Sequence, residues 1–207
     1  MTISYPRDLR TLFDAGVRFH KPTFDLVPRG AVVNLPNRTQ VMETAPAIWK
    51  ASFQTVPLNR ALFDEASAWL DSLGGARSFL AFDMFRRWPR AHAAGGVSAT
   101  GTVTSYPAAN KASLAGLSGV TLSAGDRIGF EQSGKYRLVR ILETVTASGG
   151  AMTVEFAPSL PPGWFTTSAV VRINKPVCEM ILTPGQGISR SDLTTRDTLA
   201  FSAVQRL

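Results

Sequence analysis

The hydrophobic pattern of this 207-residue chain changes period several times, and each change marks an element. In Ala47-Ile-Trp-Lys-Ala-Ser-Phe-Gln-Thr55, Trp49, Ala51 and Phe53 alternate with Lys50, Ser52 and Gln54. A period of two predicts a strand with one wet face. After Pro57 the period lengthens, with Leu58, Leu62, Ala66, Trp69, Leu70 and Leu73 falling at spacings of three and four. Asn59, Arg60, Asp64, Glu65 and Asp71 fill the other side, so an amphipathic helix is predicted over 58–73. Gly74-Gly75 ends it, because glycine accepts the left-handed backbone of a helix C-terminus. The apolar run Arg77–Phe85 then predicts a buried strand.

Beyond Pro89 the composition shifts to Ala, Gly, Ser and Thr, and short alternating pieces follow at close spacing. Asp126–Gln132 and Lys135–Val145 flank Ser133-Gly134, and Ser148-Gly149-Gly150 turns the chain into Ala151–Ala157. Both are hairpin signals, and together they predict a small β-barrel or sandwich. Strand character returns in Ala169–Ile173, Val177–Thr183 and Thr198–Gln205. The first forty residues, broken by Pro6, Pro22, Pro28 and Pro36, read as an irregular arm with one strand start at Gly30–Val33. The predicted fold is mostly β with one helix. Residues 1–90 plus 166–207 form a β-sandwich carrying the helix, and 91–165 form an inserted small β-barrel.

Composition narrows the function. No run approaches the ~20 apolar residues of a membrane-spanning helix, so membrane insertion is not expected. Met1–Arg18 lacks the apolar core of a secretory signal. The net charge of +7 is spread as +4, +1 and +2 over residues 1–90, 91–171 and 172–207. A sequence-specific nucleic-acid binder concentrates its charge on one groove-reading element, and none is visible.

Candidate chemistry is sparse. The two histidines, His20 and His92, lie in loops far apart in sequence, and a Ser or Cys nucleophile needs such a base within reach. The single cysteine, Cys178, falls in an apolar strand, where it acts as a small hydrophobe and has no partner for an internal disulfide. This inventory predicts no catalytic residues, no metal site and no cofactor. Gly95-Gly96 to Gly101 lacks the Gly-Lys-Ser/Thr ending of a phosphate loop. Ser123–Arg127 reads as a turn, and Asn37-Arg-Thr39 matches a glycosylation acceptor without a secretory context. The most distinctive cluster is Arg86-Arg87-Trp88-Pro89-Arg90. Its Arg86, Arg87, Trp88 and Arg90 suit a subunit interface, where Arg and Trp are enriched, and equally a solvated hinge.

The order of these parts resembles that of the distal tail proteins of long-tailed, siphovirus-like phages and phage-derived gene transfer agents. Trp49–Phe53, the Leu58–Leu73 helix with its Gly-Gly end, Phe79–Asp83 and Arg86–Arg90 carry the resemblance. Ala124–Ile128, Ser148–Phe156 and the Pro158–Pro162 exit of the inserted domain extend it. The resemblance implies a tail-tube-like sandwich assembling as a homohexameric ring at the tail tip of a virion. Its implied neighbours are the tail tube protein, the tail-tip hub and the tape measure protein, with genome DNA passing through in transit. A rival reading is a small-barrel module for glycans or oligonucleotides, and another is a tube terminator or minor tail protein.

Overall fold

The computed structural model describes residues 4–20, 22–35, 38–183, 189–191 and 197–206. The fold is mostly β, as the alternation predicts. In chain order it runs β1 (Arg7–Asp8), α1 (Leu9–Asp14), β2 (Thr23–Leu35), β3 (Arg38–Gln54), α2 (Arg60–Asp71) and β4 (Phe79–Phe82). Then come β5 (Thr100–Ala108), β6 (Lys111–Ala115), β7 (Thr121–Leu122), β8 (Arg127–Gln132), β9 (Lys135–Ile141), β10 (Val145–Thr146), β11 (Met152–Ala157) and β12 (Val170–Arg172). The chain closes with β13 (Val177–Leu182), β14 (Ser189–Ser191) and β15 (Thr198–Gln205).

Seven strands form one sheet in the order β1-β4-β13-β15-β3-β2, with β14 pairing on β15. Trp49, Ala51 and Phe53 point into its core and Lys50 and Gln54 outward, the face predicted from their alternation. In β15, Leu199, Phe201 and Ala203 join them, and Phe53 stacks on Phe201 at 5.0 Å. Helix α2 covers this core with Phe63, Ala66, Trp69 and Leu70. Trp69 meets Phe79 edge-on at 5.6 Å.

The helix begins where Asn59 accepts a hydrogen bond from the Leu62 amide at 2.9 Å, and it ends at Ser72 before the left-handed Gly74 and Gly75. Asn59→Ala removes that cap and is expected to cost about 1 kcal/mol, read from the urea midpoint.

The N-terminal forty residues depart from the irregular arm predicted for them. Asp8 caps α1 by accepting from the Arg10 amide at 2.8 Å, and β2 runs for 13 residues. Pro28 is accommodated because the β2–β3 ladder shifts register between Val27 and Arg29, so the missing amide falls at an irregularity. Leu9, Leu12 and Val17 enter the sheet's core.

Between β4 and β13 the chain builds a closed six-stranded barrel in the order β11-β6-β5-β12-β8-β9. Met152, Val154 and Phe156 point inward as predicted. Ser133 and Gly134 both take positive φ, +49° and +75°, the pair that a two-residue hairpin turn requires. One boundary moves. Residues from 166 on were expected in the outer unit, but β12 pairs with β5 and β8 and closes the barrel, and Ala169, Val171 and Ile173 lie in its core. Periodicity marks this segment as a strand without naming its partners.

The glycine-rich stretch is a packing device. A Cβ on Gly101 would stand 2.6 Å from the Ala115 carbonyl oxygen and 2.8 Å from Leu117. Backbone cannot yield as a side chain does, so Gly101→Ala is expected to destabilise by about 1–3 kcal/mol, visible as a lower Tm.

Candidate functional site at the sheet–barrel junction

The arginine-rich segment is the crossover from sheet to barrel, and the structure divides its residues between two tasks. Arg86 and Arg90 reach across to the turn before β8. The Arg86 guanidinium donates to the Gly125 carbonyl at 3.2 Å, and that of Arg90 to the Ala124 carbonyl at 2.6 Å. Asp126 organises the same turn by accepting from the Ser123 amide at 2.7 Å and the Arg90 amide at 3.1 Å. Ser123–Arg127 is therefore a turn feeding β8, as the sequence suggests. Trp88, half-buried, packs against the barrel core and beneath Gly95, where a Cβ would lie 3.5 Å from the indole. Arg87 is exposed, with its guanidinium 5.7 Å from the Phe13 ring centre, and its carbonyl accepts from the Lys175 amide at 2.6 Å.

Phe85, which sequence reasoning passed over as the last residue of a buried strand, is 71% exposed. Beside it a shallow groove of about 360 Å³ is lined by Phe85, Arg86, Trp88, Arg90 and the Ala124–Asp126 turn. The groove thus joins an exposed ring to a positive rim. Asp83 explains the exposure of Phe85. Its carboxylate accepts from the Phe85 amide at 2.9 Å, tying the backbone into a turn that throws the ring outward.

Below this surface lies a buried polar joint that the sequence did not announce. Asp83 and Arg127 form an ion pair with both side chains under one-tenth exposed. Arg127 also donates to the Phe24 carbonyl at 2.7 Å and lies 4.8 Å from the Trp49 ring. Trp49 in turn donates its indole N–H to the Leu138 carbonyl at 2.8 Å. Burial pulls the Arg127 pKa down to about 10, partly opposed by the Asp83 charge, which leaves the guanidinium protonated at neutral pH. These contacts bind β8 and β9 of the barrel to β2, β3 and the end of β4.

The remaining sequence candidates fall apart in space. His20 is exposed and its backbone amide pairs with Gln54. His92 is half-buried, and its Nε2 accepts from the Thr121 amide at 2.8 Å, holding β7 to the 3₁₀ turn Arg90–His92. Cys178 is fully buried, and burial pushes its thiol far up. Among the described residues no three His, Cys, Asp or Glu side chains converge as a metal site would need. None of the helices is long and apolar enough to cross a membrane, again among the described residues. Asn37 of the glycosylation pattern lies outside the described residues. No protein-family model matches the chain, and no curated protein matches it.

Proposed function

We propose that this chain is a structural subunit of a ring, hexameric by its resemblance to distal tail proteins, that joins a phage-type tail tube to the tail-tip hub. The observation that carries the reading is the β2–β3 ribbon. Strand β15 pairs with β3 only at Lys50–Gln54, whereas β2 and β3 continue to pair with each other from Arg29 and Ala45 out to Leu35 and Arg38. Among the described residues that outer half has no third strand. An isolated two-stranded ribbon is at best marginally stable in water. Residues 30–35, Gly-Ala-Val-Val-Asn-Leu, carry no charge that would discourage pairing, and among the described residues no strand pairs on the far side of β2. Proteins cover or charge such edges. A neighbouring copy is the natural cover, and a heterologous contact repeated by rotation closes into a ring.

In this reading the barrel stands outside the ring, and the tail tube, hub and tape measure proteins are neighbours. DNA passes through the lumen without sequence contacts, which suits a positive charge spread thinly over the chain. The arginine crossover contributes its outward part, Phe85 and Arg87, to subunit contact, while Arg86, Trp88 and Arg90 hold the barrel. Phe85→Ser with Arg87→Glu is therefore expected to weaken self-association at least ~10-fold while shifting Tm by under ~2 °C, followed by analytical ultracentrifugation. Equal loss of assembly and melting temperature would return these residues to the core. The rival barrel module gains no platform from the four aromatics that the sequence offers it, because Phe130 and Phe156 are inside the barrel and Tyr106 and Tyr136 are half-buried. Native mass with particle images tests the reading directly, with closed rings supporting it and a stable monomer opposing it.

A further inference from the structure

A second buried arginine lies at the end of the barrel with no counter-charge among the described residues. Arg137 of β9 pairs with Phe130 of β8, and cross-strand partners share a face. Phe130, Val139 and Ile141 belong to the barrel core, so Arg137 enters that interior at its end. It is 2% exposed. Its Nε is buried without a partner. Arg127, also buried and likewise with an unpartnered Nε, has its terminal nitrogens engaged by Asp83 and the Phe24 carbonyl. Burial lowers the Arg137 pKa, and the titratable group that acts on it is the Cys178 thiol, itself held neutral by burial. A buried, unpaired cation is costly and is retained where something pairs with it.

Arg137 also lines a pocket of about 270 Å³ whose other walls are Pro46, Ser159, Leu160, Pro161, Pro162 and Trp164. Lys135 approaches the Trp164 ring, its Nζ 5.6 Å from the ring centre, but it lines a neighbouring hollow and not this pocket. The pocket thus combines a cation, flat apolar walls and a hydroxyl. We propose that it binds a small organic carboxylate with a ring-sized body, the carboxylate on Arg137 and the ring against Trp164 and the prolines. A planar guanidinium meets a carboxylate through two parallel hydrogen bonds. One buried cation neutralises one negative charge, which disfavours a phosphate dianion. The volume accommodates a single ring. Neither the ring assembly nor the contacts of Phe85 and Arg87 enter this inference.

The test uses the full chain with sodium benzoate and sodium glucuronate as probes. Benzyl alcohol and methyl glucoside serve as uncharged controls, and inorganic phosphate and a short peptide with a free C-terminus as competing anions. Saturation-transfer NMR and calorimetry are expected to show saturable binding of at least one ring carboxylate and none of the uncharged controls. Arg137→Met is expected to weaken that binding on the order of 10- to 100-fold. It is also expected to raise the Tm of the free protein by about 2–4 °C, since the unpaired charge is gone. Trp164→Ala is expected to weaken binding with little change in Tm. Binding that persists in Arg137→Met, a preference for phosphate or the peptide, or silence from both carboxylates would overturn the proposal. A fall in Tm for Arg137→Met would overturn it as well, because the arginine would then be a structural strut.

Discussion

Asp83→Ala is expected to destabilise the protein by about 3–5 kcal/mol, the cost of breaking a buried ion pair and leaving one partner charged and enclosed. Arg127 would keep the Phe24 carbonyl and the face of Trp49, but these neutral groups cannot replace a carboxylate. The effect reaches beyond one pair, because Asp83 also fixes the turn through the Phe85 amide. Asp83→Asn separates the two contributions, since an amide oxygen still accepts from that backbone while the charge is lost. Its cost is expected to fall between those of the wild type and Asp83→Ala. The double variant Asp83→Leu/Arg127→Met removes both charges and is expected to recover much of the loss, because a buried pair replaced by apolar side chains is often close to neutral. Urea unfolding followed by tryptophan fluorescence reads all three, with Trp49 at the centre of the joint. A loss below ~1 kcal/mol for Asp83→Ala would mean that water reaches the pair and that sheet and barrel are joined elsewhere.

Removal of the outer ribbon is expected to abolish assembly without unfolding the subunit. Gly30 and Glu43 are cross-strand partners, so an Asn-Gly turn in place of residues 31–42 can close the shortened hairpin in register. Met42 is 52% exposed and Ala31 is exposed, so both ends of the deleted segment stand in solvent. The subunit's Tm is therefore expected to stay within ~3 °C, while self-association weakens at least ~100-fold. The asymmetry between the two readouts is what identifies an assembly element, since a structural hairpin would lower both. Loss of folding in the shortened chain would show instead that the ribbon completes the subunit's own sheet.

Much of this fold is legible in the sequence, for identifiable reasons. Trp49, Ala51 and Phe53 alternate strictly, and a strand with one wet face has no other way to bury them. Gly74-Gly75 ends α2 because a helix closes in backbone that glycine accepts, whereas the Asn59 cap emerges only in the structure. Ser133-Gly134 fixes its hairpin locally. What escapes is non-local. The pairing of β12 with β5 and β8 depends on strands distant in sequence, and Val171 has the same apolar character in either unit. The prolines of the N-terminal segment read as breakers, yet Pro28 sits where the ladder shifts register. The Arg86–Arg90 cluster is visible as a cluster, but its division between barrel-holding and outward residues is not. The joint between Asp83 and Arg127 spans 44 positions and leaves no local mark. The same holds for Arg137, which differs in sequence from its paired counterpart by nothing that a pattern would register.

The ring assignment is tested most directly by the mass of the purified chain in solution, measured by native mass spectrometry across the micromolar range together with negative-stain images. Six times the subunit mass, with closed rings in the images and a collapse to monomer in the ribbon-shortened variant, is the predicted result. A monodisperse monomer at every concentration, with the ribbon protected from proteolysis within that monomer, would contradict it.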